Sequence, residues 1–296
     1  MYNFEEIRNE VASKLSNEFD VSVTKVVKNN GLTLHSINIL KKGDNISPTL
    51  YIDDFVNSSL PLPAIAENLI RNYKKYIKNT PTITKVGIDI NKCYFAVVNA
   101  EKNKEFLKSV PHKRFLDLAI IYRVLVDVDD NGIQSFIITN QLFNMSEYNF
   151  EELHNAAFEN TRELFPMSLC SLESLMDRLL KLDKIEHMNF RANSQIDFNE
   201  EPIIVLSNQD GIGGANFILY TDIFEELAEQ VNSDIFILPS SVHELLLIKA
   251  SDGFEFYELI NMVREVNATE VSIDEVLSNN IYKYDRQHKK IDLLTM

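Results

Sequence analysis

The sequence predicts an α+β protein, a mainly antiparallel sheet covered by helices. Short apolar runs lie between turn residues, as in Ile203-Ile204-Val205-Leu206 and Ile235-Phe236-Ile237-Leu238, and read as buried strands. Hairpin signals outnumber strand–helix–strand units; the clearest is Asp129-Asp130-Asn131-Gly132 between two apolar runs. Several segments place apolar residues three and four apart, the spacing of a helix with one buried face.

Phe4, Ile7, Val11, Leu15 and Phe19 form the first such face, with Asn3 as N-cap and Glu5 and Glu6 in the first turn, where the helix dipole favours acids. Val21 to Val27 reads as a strand, Asn29-Asn30-Gly31 as a turn, and Leu32 to Ile39 as a strand pairing back. After the turn at Lys41 to Asn45, Pro48 to Ile52 is a short third strand. Leu62 to Ile77 is helical, with Pro61 and Pro63 at its start and Thr80-Pro81 stopping it. Residues 83–107 show no clear period. Phe115 to Val128 and Ile133 to Thr139 flank the Asp-Asn-Gly turn as a hairpin.

Asn149 with Glu152 resembles a capping box for a helix to Leu164, ended by Pro166. Leu169 to Leu182 reads as a second helix. Residues 183–202 are polar and aperiodic, a linker or an excursion. The stretch 203–249 then reads as sheet, helix, sheet. Two strands, the second being Phe217 to Tyr220, flank a glycine-rich turn. A helix from Ile223 to Val231 follows, then two strands joined by Pro239-Ser240-Ser241-Val242-His243-Glu244. Asp252 is expected to cap a helix through Val266, and Ser272 with Glu275 to box a short last helix. Ile281 to Tyr284 and Ile291 to Leu294 close as a hairpin. The runs at 115–139 and 203–249 are expected in one sheet, covered by the helices at 150–164 and 254–266.

Apolar content of 45% and charged content of 25% in 296 residues allow a sizeable core and exclude wholesale disorder. No run approaches the roughly 18 apolar residues of a membrane span. The N-terminal residues lack the basic and apolar regions of a secretory leader. The two cysteines, Cys93 and Cys170, sit in apolar contexts and read as buried thiols, which places the protein in the cytoplasm. The net charge of −15 is uneven: residues 1–120 carry 17 Lys+Arg against 13 Asp+Glu, the remainder 12 against 31. The stretch 71–114 holds 11 basic and 3 acidic residues, with Tyr73, Tyr76, Tyr94 and Phe95 interleaved. That pattern is either a nucleic-acid footprint or a solvated lysine-rich surface.

The densest chemistry lies at Pro239 to Glu244. Ser241, His243 and Glu244 are the candidate catalytic residues, with Asp234 as a possible helper. A nucleophile needs a base within hydrogen-bond reach, whereas side chains two apart on an extended chain diverge. No G-x-S-x-G elbow is present, and His243-Glu244-Leu245-Leu246-Leu247 lacks the second histidine of H-E-x-x-H. The plainer reading is a serine-rich turn entering a strand. Candidate binding residues are Asn208, Ser240, His112 and Arg114, the last two belonging with Lys113 and Asp117 to a possible anion site. Gly211, Gly213 and Gly214 could cradle a phosphate, although their spacing fits neither known glycine motif. The scattered histidines imply no metal and no cofactor. Asp53-Asp54, Asp129-Asp130 and Glu200-Glu201 read as solvation or capping.

Six phrases occur in order: KNNG at 28–31, NISPTLYI at 45–52, PHKRFLDLAII at 111–121, ILPSSVHELLL at 237–247, MVREVNATEV at 262–271 and EVLSNNIYKY at 275–284. Together they resemble domain of unknown function 5688, a family of Gram-positive, largely gut-dwelling bacteria, over nearly the whole chain. The resemblance implies one family-length unit, 1–296, and supplies no catalytic residues. A division into 1–110 and 111–296 is the alternative. GIGGANFILY at 211–220 is glycine-richer than the family pattern. Three functions follow as expectations: a non-enzymatic cytoplasmic interaction or regulatory protein of such bacteria or their mobile elements, a hydrolase or transferase using 239–244, and a nucleic-acid-associated protein using 71–114. A protein partner and no membrane are expected.

Overall fold

A computed structural model describes residues 2–44, 47–79, 87–129, 132–181, 198 and 200–296. The chain divides into two compact units, Met1–Val86 and Gly87–Met296. Residue 110 lies inside the second. The polar excursion at 183–202 falls outside the described residues except for 198 and 200–202.

In the first unit α1 (Phe4–Ser13) opens on a full capping box: the Glu6 amide donates to Asn3 Oδ1 at 2.9 Å and the Asn3 amide to Glu6 Oε2 at 2.8 Å. Strands β1 (Phe19–Val27) and β2 (Thr33–Lys41) pair antiparallel from Phe19–Lys41 to Val27–Thr33. Their turn needs two left-handed residues, supplied by Asn30 (φ 58°) and Gly31 (φ 77°). β3 (Leu50–Tyr51) adds to β2, and α2 (Asp53–Val56) and α3 (Leu62–Asn79) follow. Ile37 and Ile39, alternate residues of β2, pack with Ile7, Val11, Ile65 and Leu69 in this unit's core.

The second unit holds two sheets. β4 (Cys93–Asn99), β5 (His112–Phe115), β6 (Leu118–Asp129) and β7 (Gly132–Ile137) form the first, with α4 (Lys104–Leu107) between β4 and β5. β6 pairs with β4 along one side and with β5 and then β7 along the other. After α5 (Asn140–Asn144), α6 (Phe150–Leu164) starts on the Asn149–Glu152 capping box. The second sheet has the order β13-β12-β10-β11-β9-β8, every pair antiparallel. Its elements in chain order are β8 (Met167–Ser171), α7 (Leu172–Lys181), β9 (Ile204–Asn208), α8 (Thr221–Val231), β10 (Ile235–Pro239), β11 (Leu245–Lys249), α9 (Phe256–Thr269), β12 (Ile281–Asp285) and β13 (Lys290–Leu294).

The runs at 115–139 and 203–249 therefore lie in two sheets, not one. β6 is flanked by β4 on one side and by β5 and β7 on the other, and the strands of the later run pair instead with one another and with β8 and β12. The two sheets nevertheless share one core, in which Phe95, Tyr122 and Val124 meet Leu206, Ile237 and Leu247. On the far face of the six-stranded sheet, Leu259, Ile260 and Val263 of α9 cover Phe236, Leu238 and Ile248.

Four local expectations also change. Phe217 to Tyr220 is not a strand: Gly214–Leu219 is a 3-10 turn with Ala215, Phe217 and Ile218 in the core, and a short, wholly buried run carries no period to separate the two. Leu169 to Ser171 belong to β8, so the helix begins at Leu172. Asp252 sits in a 3-10 turn that the left-handed Gly253 (φ 83°) ends; α9 begins at Phe256 with no side-chain cap. Ser272 and Glu275 make one turn and not a helix, because the Ser272 hydroxyl bonds Asp274 and not a helical amide.

Candidate functional site

The residues at 239–244 close the β10–β11 hairpin, and the chain leaves the ladder after Pro239 as a proline followed by two serines dictates. Two further segments meet this loop: the glycine loop after β9 and the turn before β12. The Ala215 amide donates to the Val242 carbonyl at 3.3 Å, and the Val242 amide to the Glu275 carbonyl at 2.8 Å. Ser207 Oγ donates to the His243 carbonyl at 2.8 Å. Gly214 is buried against them; a Cβ there would fall inside contact distance of Ser207 Oγ, Ser207 Cα and the His243 oxygen, so the close approach requires glycine.

His243 is fixed by both ring nitrogens. The Gly213 amide donates to Nδ1 at 3.1 Å, so the neutral ring carries its proton on Nε2, which faces Glu275 Oε1 at 3.5 Å. Buried Ser241 donates from Oγ to Glu244 Oε1 at 2.9 Å and accepts from the His243 backbone amide at 2.9 Å. The three candidate catalytic residues are thus adjacent without forming a nucleophile–base pair: the serine bonds the histidine's backbone and not its ring. Asp234 lies at the opposite end of β10, bound to Lys283 at 2.8 Å and to the Arg286 amide.

The glycine loop is not arranged as a phosphate cradle. Its amides from 209 to 213 are already engaged: Gln209 with the Pro166 carbonyl, Asp210 and Ile212 with Asn208 Oδ1, Gly211 with the Asn208 carbonyl and Gly213 with His243. Asn208, 2% exposed, is the loop's internal brace, returning a bond from Nδ2 to the Ile212 carbonyl at 2.6 Å. Ser240, half-buried, precedes Ser241 in the same hairpin loop. His112 and Arg114 lie on β5, apart from this cluster. Successive β5 side chains alternate, so Lys113 points away from the other two and the trio does not converge. His112 bonds the Val110 carbonyl at 3.0 Å, and Lys113 reaches His154 Nε2 at 3.3 Å.

Two acids named in the sequence, Asp117 and Asp53, have partners that carried no sequence signal. Asp117, in the β5–β6 turn, accepts from Ser278 Oγ (2.6 Å), Asn280 Nδ2 (3.1 Å) and Tyr282 OH (2.7 Å). Burial first, and then the Asp117 charge, push the Tyr282 hydroxyl well above the usual phenol range. In the first unit Asp53 is more than a solvated turn acid. It accepts from the His35 amide at 2.6 Å and from Nδ1 at 2.9 Å, while Phe4 stacks on the ring at 3.9 Å. Burial pushes the Asp53 carboxyl up, but the His35 bonds outweigh it and hold it below its usual range. These partners lie 18 to 165 residues apart in sequence, so no spacing rule finds them. Among the described residues, no three of His, Cys, Asp and Glu group to hold a metal, and no helix is long and apolar enough to cross a membrane.

The model of DUF5688, described as a family of unknown function, matches residues 2–286. The chain belongs to this family. No curated protein and no solved structure is a significant match to it. In this DUF5688 protein, four of the phrases that mark the resemblance meet around residues 275–282. Val242 reaches Glu275, Asn267 Nδ2 donates to the Ser278 carbonyl at 2.9 Å, and Asp117 gathers Ser278, Asn280 and Tyr282. What these phrases do together, on the geometry, is fasten the two sheets and α9 to one segment.

Proposed function

We propose that this DUF5688 protein acts by binding a protein partner, in the bacterial cytoplasm, and not by catalysis of its own. One observation carries the reading: the best-placed polar side chains at 239–244 are occupied in holding loops. The Ser241 hydroxyl donates its hydrogen bond to Glu244, and His243 Nδ1 accepts from the Gly213 amide. A serine hydrolase would need that hydroxyl donating to the imidazole. The nucleic-acid alternative is weakened because three of its four stacking residues, Tyr73, Tyr94 and Phe95, are buried, and only Tyr76 is half-buried.

The test combines two measurements on the full chain. Affinity purification from the source cells is expected to retain a protein at fixed stoichiometry through nuclease treatment. A panel of generic acyl and phosphoryl esters is expected to show no turnover above a Ser241→Ala, His243→Ala double variant. Turnover by the parent that the double variant lacks would overturn the reading in favour of the hydrolase, and a nuclease-sensitive complex would overturn it in favour of nucleic acid.

A further inference from the structure

Helix α9 buries Leu259, Ile260 and Val263 against the six-stranded sheet, yet its other sides are not solvated in the usual way. Of the sixteen large apolar residues exposed in the described chain, six fall within 254–273: Phe254, Phe256, Tyr257, Met262, Val266 and Ile273. That concentration separates the stretch from the singly scattered apolar residues of an ordinary surface. Met262 (42% exposed) and Val266 (39%) stand one turn apart and make a ridge along the flank of the buried stripe.

Acids bracket that ridge. Glu258 and Glu265 lie four and three residues from Met262, and Glu270 four from Val266, the spacings at which helix side chains are neighbours. Residues 250–282 hold seven acids and one base, Arg264. Arg264 is turned away, donating from Nε to the Asn279 carbonyl at 3.2 Å and from NH1 to Met296 Sδ at 3.3 Å. Among the described residues no cation pairs with Glu255, Glu258, Glu265 or Glu270. An apolar ridge inside uncompensated carboxylates repels nucleic acid and anionic bilayers alike. It complements a helix with apolar residues on one face and lysine or arginine beside them.

We propose that the Met262–Val266 flank of α9 is the docking surface for a basic amphipathic helix of a protein partner. This rests on the interaction reading above and gives the partner its chemistry. Apolar contact supplies affinity, and the glutamates select charge and speed encounter.

The probe is a synthetic peptide of about 18 residues, leucine at helical spacing with lysine elsewhere, titrated into the full chain by fluorescence anisotropy. Saturable one-to-one binding that weakens with salt is expected, and the same peptide with glutamate for lysine should not bind. Met262→Gln with Val266→Gln should weaken binding about tenfold, a readily resolved change in Kd. Glu258→Gln with Glu265→Gln should weaken it and flatten the salt dependence. Met145→Gln, at an exposed site before α6, should change nothing. If the first pair lowers the melting temperature, the exposed glutamate pair decides alone. Equal binding by parent and both pairs, or no binding by the parent, overturns the proposal. Repeating the affinity purification separates the two readings: a native partner retained by the Met262/Val266 variant overturns this surface and leaves the interaction reading standing, whereas a parent that retains none overturns the latter.

Discussion

A ring nitrogen that accepts a backbone N–H carries no proton in that bond, and His243 Nδ1 accepts from the Gly213 amide. Removing the acceptor leaves a half-buried amide without its partner, a cost of about 1 kcal/mol. His243→Ala should therefore lower thermal stability by several degrees. His243→Asn, which can present an oxygen near the Nδ1 position, should recover part of the loss; equal losses in the two would show that the Gly213 bond contributes nothing. Gly214→Ala tests the same junction sterically. Its φ is unexceptional, so the cost comes from contact with Ser207 and the His243 carbonyl, about 1–3 kcal/mol, read as a lowered denaturation midpoint. At this scale the sequence marked 239–244 as polar and proline-broken and named His243 and Asn208. It could not show that His243 braces the glycine loop, since that bond joins loops 30 residues apart in sequence; the bonds of Asn208 are local, to residues two and four further on.

Elements join through their side chains, and α6 meets the first sheet through His154. Tyr122 of β6 lies 2.9 Å from Nδ1, and the Lys113 ammonium, a donor only, approaches Nε2; the neutral ring thus carries its proton on Nδ1 and donates to the Tyr122 oxygen. Burial first, and then the Lys113 charge, hold the His154 pKa below its usual value. A depressed folded pKa means that the unfolded chain takes up the proton first. The stability is present above the unfolded value of about 6.5 and is lost as pH falls below it. The melting temperature of the parent should drop between about pH 7 and pH 5 more steeply than that of His154→Gln; parallel profiles would remove His154 from the account. The helix itself was legible, because Asn149 and Glu152 are local partners. Its packing on β4 was not, since β4 falls in the stretch without a clear period.

Each unit of the whole chain has its own core, one drawn from 1–86 and the others from 87–296. Two unfolding transitions are therefore expected in calorimetry. Ile37→Ala, at a fully buried position of the first core, should lower one of them by about 2–5 kcal/mol and leave the other in place. A single transition that moves as a whole would show the units to be thermodynamically one. Charge divides in the same way: residues 1–86 carry 11 bases and 9 acids, the remainder 18 and 35, so the acidity belongs to the unit that bears α9.

By itself the sequence determined the α+β class, the hairpin turn at 29–31, the pairing of the runs on either side of 130–131, the capping boxes at Asn3 and Asn149, and the family. The family rests on phrases spread along the chain; the others rest on neighbours within a few residues, where side-chain period, φ preference and cap geometry act directly. Only the tertiary structure decided that two sheets share one core, that Phe217 lies in a 3-10 turn, that Asp117 gathers Ser278, Asn280 and Tyr282, and that Ser241 turns away from the His243 ring. Those outcomes depend on which strand edges remain to be paired and on which distant polar groups burial forces together. A linear pattern carries neither quantity.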